Sequence, residues 1–345
     1  MTMKRIDYLQ TLFPNGIPTL WCPPLTHFTE DRSLDERRME AHLRFLAPSV
    51  KGLLVPGTTG EGWELSDSEA SALLRLVLPI AGKLDMLVLV GILKPTVAET
   101  LTALERTLDE LELSAGDPRL LERLAGMHIA GFTFCAPRGA ELSQQTILQA
   151  LRLPLERGLP SALYQLPQVT ANEFAPETAR ELAASFENLI LIKDSSGGDR
   201  IITSPPRPED LFFVRGAEGD YYEWFAENSS RYDGFLLSTA NSFPVQLARI
   251  VAPGADAGEA RRLSQAITAV INESFNAVRP VNRGNLFTNA NKAIDHFNAY
   301  GPQADKLPGP RLHDGTVIPA EVLWQVGTVL TRHGLMPERG YYVNR

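Results

Sequence analysis

The chain has 345 residues, of which 44% are apolar, 21% charged and 8% aromatic, the composition of an ordinary globular protein. Its 26 Gly and 25 Pro are too few for collagen or a long disordered chain. A net charge of −8 and a pI near 5.4 argue against nucleic acid or an anionic membrane as partner, because both require a basic surface.

Only seven of the 33 basic residues are Lys, at positions 4, 51, 83, 94, 193, 292 and 306. A chain that uses Arg for surface charge makes each Lys in an unusual place worth examining. Cys22 and Cys135 stand far apart with no CxxC neighbour. That is neither a disulfide framework nor a zinc site, and it fits a reducing compartment. The N-terminus lacks an apolar signal core, and the longest apolar run, Met86 to Leu93, is too short to span a bilayer. A cytoplasmic protein is expected, so the sequons at Asn228 and Asn272 read as chance matches.

In chain order, Ile17–Leu20 reads as the first strand. Ser33-Leu-Asp-Glu36 then reads as a capping box that opens a helix with Met39, Leu43 and Leu46 on one face. Strand Leu53–Val55 follows, then a second box at Ser66-Asp-Ser-Glu69 with Ala70, Leu73, Leu74 and Val77. After strand Leu87–Val90 a third box, Thr96-Val-Ala-Glu99, opens a helix with Leu101, Leu104, Leu108 and Leu111. Residues 114–128 read as an extra turn and short helix. Five more short apolar runs follow: Phe132–Cys135, Ala162–Gln165, Leu189–Lys193, Phe212–Val214 and Phe235–Leu237.

None of the eight runs alternates apolar with polar residues, so both faces are buried, as in a parallel sheet. Eight strands alternating with helices predict an α/β fold, a (β/α)8 TIM barrel, over residues 1–243. An open doubly wound sheet is the runner-up, but no glycine-rich turn follows the first strand. After Pro244 the strand signal stops. Helices are expected at about 244–251, 256–278, 284–300 and 319–334, forming a C-terminal helical domain over 244–345.

Chemistry in such a barrel belongs at the C-terminal ends of the strands. Strand two runs into Pro56-Gly57-Thr58-Thr59-Gly60-Glu61, where glycines expose N–H groups between two hydroxyls, as an anion nest does. An ordinary turn is the plainer reading. Strand six ends in Lys193. An amine buried there loses hydration when charged, which favours the neutral nucleophile able to form a Schiff base. A Lys paired with a neighbour such as Asp194, or one reaching out to solvent, is the alternative. Strand five carries Tyr164, a proton shuttle if its hydroxyl reaches that amine and a core Tyr otherwise. The six His residues have no metal-ligand spacing, and His42 reads as structural.

These residues resemble the dihydrodipicolinate synthase / N-acetylneuraminate lyase family. The likeness lies in Thr58-Thr59-Gly60-Glu61, Tyr164 with Pro167, Lys193-Asp-Ser-Ser-Gly197 and Gly234-Phe-Leu-Leu-Ser-Thr-Ala-Asn241, in the family's order, over roughly residues 12–335. It implies a class I aldolase-type lyase with a barrel, a C-terminal helical domain and a homo-oligomeric state, tetramer or dimer. It also implies a 2-keto acid of pyruvate type as substrate, with no cofactor and no metal. Lys193 then matches the Schiff-base lysine and Tyr164 the tyrosine that moves protons at the imine. Thr58, Thr59 and Gly60 match the loop that holds the substrate carboxylate. Gly216 matches the glycine after strand seven, and Leu236 the residue whose carbonyl faces the lysine.

Two departures bear on the substrate. Dihydrodipicolinate synthases carry, after strand four, a tyrosine that reaches the neighbouring subunit's site. Here the segment is Phe134-Cys-Ala-Pro-Arg138-Gly. Their second-substrate arginine lies five residues past the strand-five tyrosine, where this chain has Val169. A bidentate carboxylate contact has no apolar substitute, so that condensation is disfavoured. Gln165 replaces the family's Asn; with Val169, Gln168, Ser238 and Arg138 it is expected along the second-substrate side, with Arg138 a candidate replacement cation. A non-catalytic homologue that binds a keto or sugar acid is the other reading, though binding alone does not require an imine. Replacing Arg138 by Ala is expected to raise KM for an acidic substrate, and an unchanged KM in steady-state assays removes Arg138 from the site.

Overall fold

Short runs of β-branched and large apolar residues, buried on both faces, can pair only with one another, and here they close on themselves. A computed structural model of the chain describes residues 3–208, 210–227 and 232–342. The strands are β1 (Leu20–Cys22), β2 (Gly52–Val55), β3 (Leu87–Ile92), β4 (Ile129–Cys135), β5 (Ser161–Gln165), β6 (Leu189–Asp194), β7 (Phe212–Arg215) and β8 (Gly234–Leu236). All pair in parallel in sequence order, and β8 pairs with β1, completing an eight-stranded barrel. Close pairing of β1 and β2 depends on Gly52, where a Cβ would lie 2.0 Å from the buried Trp21 ring.

Two expectations shift at the N-terminal end. Strand β1 begins at Leu20 rather than Ile17; Trp21 and Cys22 pair with β2, and Leu20 and Trp21 with β8. Pro18 has no N–H to give a ladder, so the strand starts beyond it. The helix expected from Ser33 is capped instead by Asp35, whose side chain accepts from Arg38 N, and spans Glu36–Leu46. Ser33 is engaged with Asp31 and Thr29 in the turn before it. The Ser66 box is present as read: Ser66 accepts from Glu69 N, and the Glu69 carboxylate accepts from Ser66 N. Thr96 caps the helix Val97–Glu110, and residues 114–128 hold the short helix Leu120–Gly126. A further helix, Arg5–Leu12, precedes the barrel. The Asn228 sequon lies outside the described residues.

After β8 come the helices Pro244–Ile250, Ala257–Ala277, Leu286–Tyr300 and Ala320–Arg332. The third has the most bearing on the site. Every residue from Thr288 to Ala299 is buried, including Asn289, Asn291, Lys292, Asp295, His296 and Asn298. So many polar groups stay inside only if they are hydrogen-bonded, and this helix bonds to the loops at the barrel mouth. No described helix is long and apolar enough to cross a membrane. Ser66→Ala is expected to cost about 1 kcal/mol, read as a lower urea midpoint with an unchanged slope.

Candidate active site

Strand register decides which side chains meet. Cys135 pairs with Tyr164, Tyr164 with Lys193, and Lys193 with Val214, so one interior layer holds the thiol, the phenol and the amine. Lys193 is 3% exposed, with its Nζ 3.8 Å from the centre of the Tyr164 ring. Among the described residues Lys193 has no ion pair and no hydrogen bond. Burial lowers its pKa to about 7, while Cys135, Glu218 and Cys22 pull weakly the other way. Burial pushes the Cys135 thiol up to about 12, so it stays protonated beside the amine. Burial likewise raises the Tyr164 phenol, and a hydrogen bond with Thr58 partly offsets this.

The alternation of a strand turns the next residues outward. Asp194 pairs with Gln165 and Arg215 behind the barrel wall and does not meet Lys193. Its Oδ1 accepts from Ser196 N at 2.8 Å and from Gln165 Nε2 at 3.5 Å. Gln165 Oε1 accepts from Phe174 N at 2.9 Å. The Gln165 amide is therefore engaged in that outer layer, on the face opposite Lys193. Arg215 there pairs with Asp199, which also accepts from the Tyr232 hydroxyl.

Gly216 and Leu236 come together with the amine. A Cβ on Gly216 would lie 2.1 Å from Ser195 Oγ, 2.6 Å from Lys193 Cε and 3.3 Å from the Leu236 carbonyl oxygen. Only a hydrogen fits there without displacing the lysine. Ser195 Oγ is buried and lies close enough to the Tyr164 phenol to oppose the effect of burial on it. A buried hydroxyl beside an amine that no described residue pairs is a polar surface suited to a polar ligand.

The Thr58–Glu61 loop is buried and held by its carbonyls. Asn285 Nδ2 donates to Thr58 O at 3.1 Å, Thr288 Oγ1 to Thr59 O at 2.9 Å, and Thr26 Oγ1 to Gly60 O at 2.7 Å. Among the described residues, no backbone carbonyl engages the N–H groups of Thr58, Thr59 or Gly60. Pinned carbonyls and uncommitted N–H groups are what an anion nest requires. Thr58 Oγ1 also accepts from Trp63 Nε1 at 3.0 Å.

Arg138 sits at the rim, exposed, its guanidinium carbon 5.5 Å from the centre of the Trp63 ring. Asn172 Nδ2 holds the carbonyls of Pro137 and Gly139 on either side of it. Gln168 Nε2 donates to Ser195 O at 2.9 Å, and Val169 is half-buried beside it in sequence. Ser238 Oγ donates to Glu218 Oε1 at 2.5 Å and accepts from Asn291 Nδ2 at 3.0 Å, so it belongs to a network rather than standing free.

Glu218 belongs to the site although no motif marks it. Its carboxylate accepts from Ser238, Thr239 and Tyr221, and it is one of the few charges that act on Lys193. Its place two residues after Gly216, past a strand end, was the available signal. Trp63 and Lys292 were overlooked for want of any motif.

His42, read as structural, is buried with His27 and Asp295, and the three could offer a metal ligand atom each within 4.8 Å of one another. Arg38, however, donates to Asp295 Oδ2 at 2.5 Å, and the Tyr341 hydroxyl donates to Oδ1 at 2.9 Å. Burial alone would raise the Asp295 pKa, but Arg38 and His42 outweigh it and hold the carboxylate ionised. A guanidinium already fills the cation's role, so the donor set suits an ion-pair network. A cavity of about 530 Å³ opens at the other end of the barrel, lined by Leu12, Asn15, Lys51 and His128, and contains none of the site residues.

Two outcomes follow from the buried amine. The folded pKa, about 7, lies below the ordinary lysine value of 10.5, so the unfolded state binds more protons between them and stability rises with pH across that window. Lys193→Met removes this cost and is expected to raise Tm at pH 7, with the gain shrinking as pH approaches the ordinary lysine value; calorimetry across that range checks it. Gly216→Ala is expected to abolish amine reactivity with keto acids while the chain stays folded, read by adduct trapping beside circular dichroism.

No family model matches the chain. A 4-hydroxy-tetrahydrodipicolinate synthase of Prosthecochloris aestuarii is 26% identical over 263 residues, covering 74% of this chain and 82% of the relative. One of Chlorobaculum parvum is 28% identical over 246 residues, covering 70% and 75%. YagE, an Escherichia coli prophage protein of the dihydrodipicolinic acid synthase family solved in complex with pyruvate, shares the fold. Its TM-score is 0.69 at 20% identity, covering 92% of this chain and 99% of that one. The barrel, the loops it gathers and these likenesses are together consistent with the dihydrodipicolinate synthase / N-acetylneuraminate lyase family.

Proposed function

We propose that the protein is a class I aldolase-type lyase that acts on pyruvate, or a 2-keto acid that yields it, through an imine on Lys193. The observation that carries this reading is a buried lysine with no counter-ion among the described residues, pKa about 7, seated against Tyr164 and close-packed on Gly216. About half of such amines are neutral at pH 7, against very few for a free lysine. The N–H groups of Thr58, Thr59 and Gly60 would hold the keto acid's carboxylate, making attack of the amine on the ketone effectively intramolecular. The amine adds to the carbonyl carbon, and the carbinolamine loses water to give a protonated imine. Tyr164 would carry the protons that these steps move. The protonated imine is an electron sink, so the neighbouring carbon can lose a proton, make or break a C–C bond, or allow elimination of water, passing through an enamine. Glu218, held by hydrogen bonds near the amine, would favour the cation.

The relatives' name points to dihydrodipicolinate synthase itself. Against it stand the segment after β4, which carries Arg138 and no Tyr, and Val169 at the expected anchor position. We take the second substrate to be a different one, met by Arg138 and Trp63 at the rim. We also propose that the protein works in the cytoplasm as a homo-oligomer, tetramer or dimer, which sedimentation analysis would settle.

Borohydride reduction with pyruvate is expected to leave a stable adduct on Lys193, identified by peptide mass spectrometry. An unmodified Lys193 with pyruvate and with a panel of 2-keto-3-deoxy acids, sialic acid and aromatic 2-keto acids refutes the mechanism. The trapping rate is expected to rise with pH through about 7, as the amine loses its proton. A midpoint near the ordinary lysine value would mean that the amine is not desolvated.

A further inference from the structure

Glu61 ends the Thr58–Glu61 run, and carboxylate binding makes no use of its side chain. It is 1% exposed and takes a left-handed conformation with φ 61°. Its Oε2 meets Lys292 Nζ at 2.5 Å, and its Oε1 accepts from His313 N at 2.8 Å. Lys292 is also 1% exposed; it donates to Arg311 O at 2.7 Å and lies 4.8 Å from the centre of the Phe28 ring. Burial lowers the Lys292 pKa and Glu61 opposes the shift, so the pair answers each other's charge.

The spacing along the chain adds to this. Asn285, Thr288 and Lys292 lie three and four residues apart at one end of a single helix, neighbours on one face. They grip Thr58 O, Thr59 O and the Glu61 carboxylate respectively. One helix thus holds both ends of the loop whose N–H groups no described backbone carbonyl engages. Two buried charges are costly to desolvate, and removing one strands the other, so this contact is stiff. A displacement of about 1 Å in a binding group can cost about a hundredfold in rate, so stiffness here has a functional consequence.

We infer that Lys292 is a positioning residue: through its ion pair with Glu61 it fixes the Thr58–Gly60 loop, and so sets affinity for the keto acid's carboxylate without touching the substrate. The inference rests on the imine reading above. It is tested with the 345-residue chain by borohydride trapping of pyruvate on Lys193, as a function of pyruvate concentration, in wild type, Lys292→Met, Lys292→Arg, Thr288→Val and the double variant Glu61→Gln with Lys292→Met.

For Lys292→Met we expect half-maximal trapping to need about tenfold more pyruvate or higher. Thr288→Val should give a smaller rise and Lys292→Arg a partial return. The rate at saturating pyruvate and its pH midpoint near 7 should stay in place, a split that general loosening of the fold does not produce. Half-saturation within about twofold of wild type in the folded variants overturns the inference. If Lys292→Met does not fold, the double variant, which leaves no buried lone charge, and Thr288→Val decide by the same criterion. A wild type that traps no pyruvate refutes the imine reading instead, and this inference with it.

Discussion

Lys193 carries an amine into a barrel interior where no described carboxylate pairs with it. Charging that amine costs hydration that the interior does not return, so the neutral, nucleophilic form is within reach at neutral pH. The surroundings are compatible with this condition. Cys135 and Tyr164 are themselves raised by burial and stay protonated. Asp194, next in sequence, is turned through the barrel wall by strand alternation. Glu218 is near enough to act on the amine but is taken up by donors from Ser238, Thr239 and Tyr221. A direct Lys–Asp pair would have held the amine charged.

The mouth loops do not hold themselves. The helix Leu286–Tyr300 is buried all round, and its polar residues bond outward to whatever lies against them. Asn285, Thr288 and Lys292 hold the loop after β2; Asn291 reaches Ser238; Asp295 meets Arg38 and Tyr341. The C-terminal helices are therefore part of the framework that holds the loop after β2, across 227 to 231 positions of sequence.

Much of the barrel was legible because its signals are local. Capping at Ser66 and Thr96, short apolar runs without alternation, and helical spacing between them depend on neighbours a few residues apart. Lys193 and Tyr164 were legible for a similar reason: a polar residue ending an apolar strand stands out against its flanks. Where reading failed, competing local options decided. Pro18 moved the start of β1, and Asp35 rather than Ser33 took the cap.

What the amino-acid order determined by itself was the alternation of strands and helices, and the placing of a lysine, a tyrosine and a Thr-Thr-Gly turn at strand ends. Those follow from periodicity and backbone preference. Tertiary structure alone decided that Gln165 belongs to the outer layer, that Glu218 stands near the amine, and that Lys292 is buried against Glu61. These are contacts across large separations in sequence, set by parallel register and by which helix covers the mouth. A charged residue on a helix reads as solvated until its partner, 231 positions away, is seen beside it.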